Sequence, residues 1–375
     1  MDEKRHYHIT IGSKAFFDTE IAKIDTTNAS WFLEQVQLRD NSKQIIYVNQ
    51  EPIEKPRASL LIIKNDNYHG IVDSAHDRLG GLIEDLTEPT ARIFVHNPPH
   101  NLSSYLTDQY NRGIIDLTIQ REEYTIRREP EQFSYNIKSI AERIIGQDDA
   151  INEISKSIWY LTTVERKKPY VIMLYGSSSL GKTELVREVA EKFFEGKFLE
   201  KHLSMFKNNN YSDYFFGDAP NRRSIGFDLL ERESNLIFFD EIDKCPEYFY
   251  SAFYTLFDNT LFKDSTYDVD VSGAIIILTS NYQDEDEMKK NLGLPVFYRI
   301  DKFIHFKEFS TEVIYKIVMN ELESRKSELD GKLTVDEIYD VVSKRLNATN
   351  ENARTIKYKI QQVIEDLLFE EVEKG

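Results

Sequence analysis

The chain has a single cysteine, Cys245, in 375 residues. No disulfide can form within it, and this predicts a reducing, cytoplasmic setting. It lacks any run of about 18 apolar residues, so no membrane-spanning helix is expected. Its start, MDEKRHYH, has no apolar stretch of the kind a secretory signal needs. Basic charge is also in short supply: 47 Lys and Arg stand against 64 Asp and Glu, a net charge of −17. Broad, sequence-independent nucleic-acid binding needs the opposite balance and is disfavoured. No internal repeat or low-complexity tract is visible. Zinc is not expected either, because His6, His8, His96 and His100 come without clustered thiols or acidic ligands. DSAHD (73–77) sets Ser, His and Asp side by side. Triad members converge from distant segments, so it is not read as a nucleophilic site.

What is there has the balance of a folded, soluble protein, 41% hydrophobic and 30% charged. The length suits two or three domains. Residues 1–135 read as mixed α and β. SLLIIK (59–64), ARIFVH (91–96) and IIDLTIQ (114–120) have strand composition. GIVDSAHDRLGGLIEDL (70–86) has helical apolar spacing interrupted by Gly80 and Gly81. HNPPHN (96–101) is a loop, because two prolines bar helix and ladder alike. REEYTIRREPEQF (121–133) is charged, contains a proline, and reads as a domain end and linker. From Ile140 onward strand and helix alternate. VIMLY (171–175), NLIFFD (235–240) and GAIIILTS (273–280) have the continuous apolar runs of buried parallel strands. TELVREVAEKFF (183–194) reads as a helix, and from Phe309 the spacing is mostly helical. These shifts predict three domains: 1–135, 136–308 and 309–375.

Directly after the strand at 171–175 comes YGSSSLGKTE (175–184). Gly176 and Gly181 bracket Ser177, Ser178, Ser179 and Leu180, and Lys182 and Thr183 follow. A loop of this spacing between strand and helix is a phosphate cradle. Its glycines let backbone N–H groups converge on phosphates, and the helix N-terminus adds partial positive charge. Lys182 is expected to reach the β and γ phosphates of ATP, and the Thr183 hydroxyl to bind Mg²⁺. Downstream, LIFFDEIDK (236–244) places Asp240 and Glu241 at the end of a buried strand. There Asp240 can hold Mg²⁺ and Glu241 can polarise the attacking water.

From about Ile140 to its end the chain resembles the AAA+ ATPases, and within them the Clp unfoldase branch. IIGQDDAI (144–151) resembles the motif whose backbone lies near the adenine, at Ile145 and Gly146. GSSSLGKTEL matches the phosphate loop, including Glu184. FFDEIDK matches the acidic motif, and ILTSNY (277–282) a polar sensor, Asn281, that orients water. LPVFYRIDKFIHF (294–306) resembles the arginine-finger segment at Arg299. NARTIKYKIQQVIEDLL (352–368) resembles a second sensor helix, with Arg354 facing the phosphates. The resemblance implies an α/β fold: a P-loop parallel sheet flanked by helices, then a small helical lid. It also implies ATP bound between subunits of a ring, usually of six, with Arg299 acting in the neighbouring site.

The pattern departs from that branch in places. Members that thread polypeptide carry an aromatic grip after a Gly-Ala-Pro-Pro stretch. In GDAPNRRSIGFDLL (217–230), Asn221, Arg222 and Arg223 stand there instead. Two arginines could hold acidic peptide or phosphate, or be solvated turn residues. IGF (225–227) resembles a peptidase-docking tripeptide but lies before the acidic motif rather than after it. Cys245 reads as a small buried hydrophobe rather than a redox switch.

Taken together, the expectation is a Mg²⁺-dependent ATP hydrolase that remodels or disassembles a protein or protein complex. It would work as a self-assembled hexameric ring, with residues 1–135 choosing the protein substrate or effector. One alternative is a nucleotide-switched assembly that recruits or gates an effector in a defence or stress complex. Another is a nucleic-acid motor or loader using Arg222 and Arg223, against which the net charge counts.

Overall fold

The computed structural model describes residues 4–36, 57–71, 73–126, 129–206, 212–217, 222–326, 333–347 and 351–374. Contacts divide the chain into two compact units. One takes residues 1–125, 207–235 and 251–272, and the other takes 126–206, 236–250 and 273–375.

The first unit is built on β1 (His6–Ile11), β2 (Ser30–Trp31), β3 (Ala58–Ile63), β4 (Thr87–His96) and β5 (Asp116–Arg121). Their order across the sheet is β2-β3-β4-β1-β5, and every pairing is parallel. Parallel neighbours need crossover connections, and helices Lys14–Ile21, Leu79–Leu86 and His100–Asn111 provide three of them. The apolar spacing at 70–86 yields two helices, the short Asp73–His76 and Leu79–Leu86, after a 3-10 turn at Asn65–Gly70. At the sheet edge β5 is mostly exposed, whereas β3 and β4 bury Leu61, Ile63, Ile93 and Val95.

Five further strands pair in parallel to make the sheet of the second unit. In chain order, β6 (Tyr170–Tyr175), β7 (Leu199–His202) and β8 (Leu236–Asp240) come first. Next are β9 (Leu261–Lys263) and β10 (Asp268–Asp270), an antiparallel pair that belongs to the first unit. The second sheet then takes β11 (Ile275–Thr279) and β12 (Lys302–His305), and its order is β12-β6-β11-β8-β7. Every residue of β8 and β11 is buried, as a sheet covered on both faces demands. Helices Pro130–Arg143, Asp148–Thr163 and Lys182–Phe193 contribute Ile140, Ile154, Leu185 and Val189 to the same core.

The chain ends in three helices, Thr311–Arg325, Val335–Arg345 and Ala353–Lys374. Ser310 caps the first by accepting from Val313 N–H, and Thr334 with Glu337 forms a capping box on the second. They share a core of their own that includes Val318, Leu322, Val342, Ile360 and Val363. Phe309 packs against both this core and that of the sheet. Among the described residues, no helix is long and apolar enough to cross a membrane.

Candidate functional site

In an open parallel sheet, ligands bind outside the carboxyl ends of the strands, where successive connections leave in opposite directions. In the second unit that point lies between β6 and β11. The loop after β6, the acidic pair after β8 and Asn281 after β11 all stand at those carboxyl ends.

The loop begins at Gly176, whose φ is +128°. A Cβ there would lie 2.5 Å from the Phe306 carbonyl oxygen, so a side chain would push the loop off the end of β12. Ser177 Oγ donates to Gln283 Oε1 at 3.3 Å, and the Ser178 and Ser179 hydroxyls are 3.4 Å apart. Ser179 and Gly181 have φ of +62° and +99°, which turns the chain into the helix Lys182–Phe193. Leu180 is buried beneath the loop.

The Lys182 ammonium lies inside this loop. It donates to the carbonyls of Gly176 and Ser177, both at 2.7 Å, and to Asn281 Oδ1 at 3.4 Å. Burial lowers its pKa to about 8, against the pull of Asp243, Asp240, Glu308 and Glu241. A buried cation held by weak neutral acceptors suits a site that takes up phosphate.

Thr183 Oγ1 donates to Asp240 Oδ1 at 3.2 Å. Thr279 Oγ1 donates to the same oxygen, and in turn accepts from Glu241 N–H at 2.9 Å. Thr279 therefore fixes both acidic residues from the neighbouring strand. Glu241 sits in the left-handed region (φ 60°, ψ 51°), a strained conformation for a residue with a side chain. Asn281 Nδ2 donates to Asp243 Oδ2 at 3.3 Å, so its amide bridges Lys182 and the acidic motif. The hydroxyl and carboxylate oxygens of Thr183 and Asp240 are the hard donors that Mg²⁺ prefers, so the residues fit that ion.

Of the remaining expected residues, Ile145, Gly146 and Arg354 stand beside the loop after β6. Ile145 and Gly146 precede Gln147, a buried side chain that donates to Leu180 O at 3.4 Å and to Lys307 O at 2.9 Å. Gly146 packs against Val313 of the helix Thr311–Arg325. Ala353 N–H donates to Ser179 O at 3.2 Å, which brings the start of the last helix, and Arg354 with it, up to the loop after β6. Glu184 is exposed on the first turn of the loop helix. Arg299 follows the helix Glu285–Phe297, and its guanidinium donates to Pro295 O at 2.6 Å.

Sequence reasoning missed three contributors. Thr279 stands in ILTSNY, where Asn281 alone carries a recognisable role. Gln147 stands in IIGQDDAI. His202, at the end of β7, places Nδ1 3.2 Å from Asp240 Oδ2. The common signal is a polar residue at the carboxyl end of a buried strand or against a glycine loop.

A cleft of about 390 Å³ beside the site is lined by Asp243, Cys245, Tyr250, Asn281 and Tyr282, among others. Burial pushes the Cys245 thiol up to about 12, so it stays protonated and inert. Arg222 is paired with Asp213 at 3.4 Å, and Arg223 with the buried Asp228 at 2.6 Å while lying over the Phe227 ring. Residues 218–221, including Asn221, lie outside the described residues.

Residues 167–335 match the family model described as AAA domain (Cdc48 subfamily). The chaperone protein ClpB of Oceanobacillus iheyensis is 26% identical over 283 residues, 64% of this chain and 35% of that protein. The ATP-binding subunit ClpC of the ATP-dependent Clp protease of Staphylococcus aureus is 28% identical over 282 residues, 63% of this chain and 34% of that protein. The chain thus spans about a third of the length of these relatives.

Proposed function

Starting from a chain that carries an AAA+ ATPase module of the Clp branch, we propose that it hydrolyses ATP to ADP and phosphate and uses the cycle to remodel a protein or protein complex. The observation that carries this reading is the connected set Lys182–Asn281–Asp243 and Thr183–Asp240–Thr279–Glu241 at the carboxyl ends of one sheet.

Each residue has a role in it. The backbone of 176–181 and the Lys182 ammonium bind the β and γ phosphates. Thr183 and Asp240 hold Mg²⁺, which when bound neutralises phosphate charge. Glu241 takes a proton from the attacking water, and Asn281 orients that water. Thr279 keeps Asp240 and Glu241 aligned. Ile145, Gly146 and Gln147 line the adenine side, and Arg354 approaches the phosphates from the lid. Arg299 completes the site of a neighbouring copy in a ring, where its charge stabilises the transferring phosphoryl group. Residues of the first unit select the protein substrate, in a cytoplasmic setting.

Glu241→Gln tests the reading. It should bind ATP and fail to release phosphate, while Lys182→Ala should do neither. Proteins that co-purify with Glu241→Gln in ATP, and not with Lys182→Ala, identify the substrate. Mixing Lys182→Ala with Arg299→Ala tests the shared site. Recovery of part of the activity supports a ring, and continued inactivity argues against Arg299 acting across subunits.

A second reading is favoured by the ion pairs of Arg222 and Arg223. They tie down the segment where threading relatives carry an aromatic grip. On this reading the chain is a nucleotide-switched assembly that recruits or gates an effector. It predicts slow turnover and a stable ATP-bound oligomer, whereas a remodeller predicts turnover stimulated by its protein substrate.

A further inference from the structure

The two sheets have the same topology. In chain order, the first runs fifth-first-fourth-third-second across the sheet, and so does the second. All pairings in both are parallel, and parallel crossovers are almost always right-handed, so equal order means equal winding. Hydrogen-bond register then aligns the two residue by residue. Thr10 pairs with His96 and its carbonyl accepts from Asn97 N–H. Leu174 pairs with Thr279 and its carbonyl accepts from Ser280 N–H. On the other side, Glu122 N–H donates to Ile11 O, and Phe306 N–H donates to Tyr175 O. Gly12 therefore corresponds to Gly176, and both have positive φ, +149° and +128°.

The same register reaches the third strands. Ile63 pairs with Val95, and Phe239 pairs with Leu278. Lys64 thus falls at the position of Asp240, and Asn65 at that of Glu241. Both strands then enter a 3-10 turn, Asn65–Gly70 and Ile242–Lys244. The chemistry is reversed at each place. An ammonium replaces the metal-binding carboxylate, and an amide that cannot take a proton replaces the general base. The loop from Gly176 to Gly181 is cut to Gly12 and Ser13 before the helix begins at Lys14.

The donors left at that short loop are all engaged. Gly12 N–H donates to Asn97 Oδ1 at 3.0 Å and Ser13 N–H to Glu122 Oε2 at 2.6 Å. Lys14 N–H donates to Glu231 Oε2 at 2.9 Å. The other oxygen of Glu231 accepts from Asn65 Nδ2 at 2.7 Å and Asn97 Nδ2 at 3.3 Å, both amides being buried. One carboxylate therefore meets the start of the helix after β1, the end of β3 and the end of β4.

We propose that the first unit is a nucleotide-free copy of the ATPase sheet, in which the Glu231 carboxylate stands where the second sheet holds a phosphate. The internal ligand is this chain's own segment 225–232, which leads into β8 and so into Asp240 and Glu241. The inference goes beyond ATP hydrolysis, and rests on the Lys182 loop being the phosphate site of the second sheet.

Two measurements on the full chain test it. In hydrogen exchange, Glu231→Ala should speed exchange at the peptide spanning Ser13 and Lys14 by about ten- to a hundredfold, the loss of one hydrogen bond to a charged acceptor. Unchanged protection would overturn the role of Glu231. Should Glu231→Ala fail to fold, Glu231→Gln keeps the shape without the charge and should move exchange in the same direction. In a titration with Mg²⁺ and ADP, the wild type should bind one nucleotide per chain and Lys182→Ala none. A second nucleotide that survives Lys182→Ala would overturn the proposal. A wild type that binds no nucleotide would instead count against the ATPase reading, and the exchange result would still decide the place of Glu231.

Discussion

The molecule contains the same five-stranded winding twice, once with the proposed catalytic residues at its carboxyl ends and once without. In the second sheet, the row at the carboxyl ends includes Leu174, Thr279 and Asp240, and the hydroxyl of Thr279 serves the carboxylate. In the first sheet the matching row is Thr10, His96 and Lys64. There His96 is buried, stacked on Phe17, and pushed down to about 4 by burial, so it is neutral. Lys64 lies over Trp31 and pairs with Asp18. A parallel sheet thus supplies a crevice by topology alone. Whether the crevice takes a phosphate depends on a few side chains and on loop length.

The largest effect that separates the two sheets should come from Glu241→Gln. Losing the proposed general base should cut hydrolysis by about a hundred- to ten-thousandfold while ATP binding is kept, measured by phosphate release and equilibrium binding. Retained hydrolysis would erase the distinction between Glu241 and its counterpart Asn65. Next is Thr279→Val, which keeps volume and removes the hydroxyl that joins Asp240 to Glu241. Its turnover or metal affinity should fall by about ten- to a hundredfold, read from a Mg²⁺ titration of activity.

A smaller effect follows from pH. Burial lowers the pKa of Lys182 to about 8. It is charged below that value and neutral above it, and phosphate binding favours the charged form. ATP affinity should therefore be level below about pH 7, begin to fall toward pH 8, and be about tenfold weaker at pH 9 than at pH 7, with proton uptake on binding at the higher pH. A flat profile would show that Lys182 does not change charge between pH 7 and pH 9 on ATP binding. The smallest effect is expected from Lys64→Met, the counterpart of Asp240. It should leave hydrolysis within about twofold, as a change outside the catalytic apparatus does. A large loss would mean that the first sheet works in catalysis.

Much of the second sheet is legible in the sequence. Its strands β6, β8 and β11 are continuous apolar runs, and the glycine motif is contiguous, because the backbone that wraps a phosphate must come from one loop. Glu241 and Asn281 can be proposed from the sequence because each stands just past one of these apolar runs. Thr279, Gln147 and His202 are not, because each acts across strands or loops distant in sequence. The first sheet is partly legible as strands at β3, β4 and β5. Its first strand, HYHITI, goes unread, and so does the repeated winding. The residues that would reveal it, a long glycine loop and an Asp-Glu pair, are the ones that are absent. A strand order carries no local pattern of its own.

The division of the chain follows the same rule. Composition places a boundary at 135, yet 207–235 and 251–272 cluster with the first unit. Arg232 lies over the Tyr124 ring and donates to Asp270 O at 2.7 Å, and Asn235 Nδ2 donates to Ser272 O at 2.9 Å. By itself the sequence determined that a glycine loop after a buried strand, an acidic strand end and a helical C-terminal segment exist, because short-range spacing creates them. Only the tertiary structure decided that a second sheet repeats the winding and that Glu231 fills its crevice. Those facts rest on hydrogen bonds between residues far apart in the chain, and no local pattern records them.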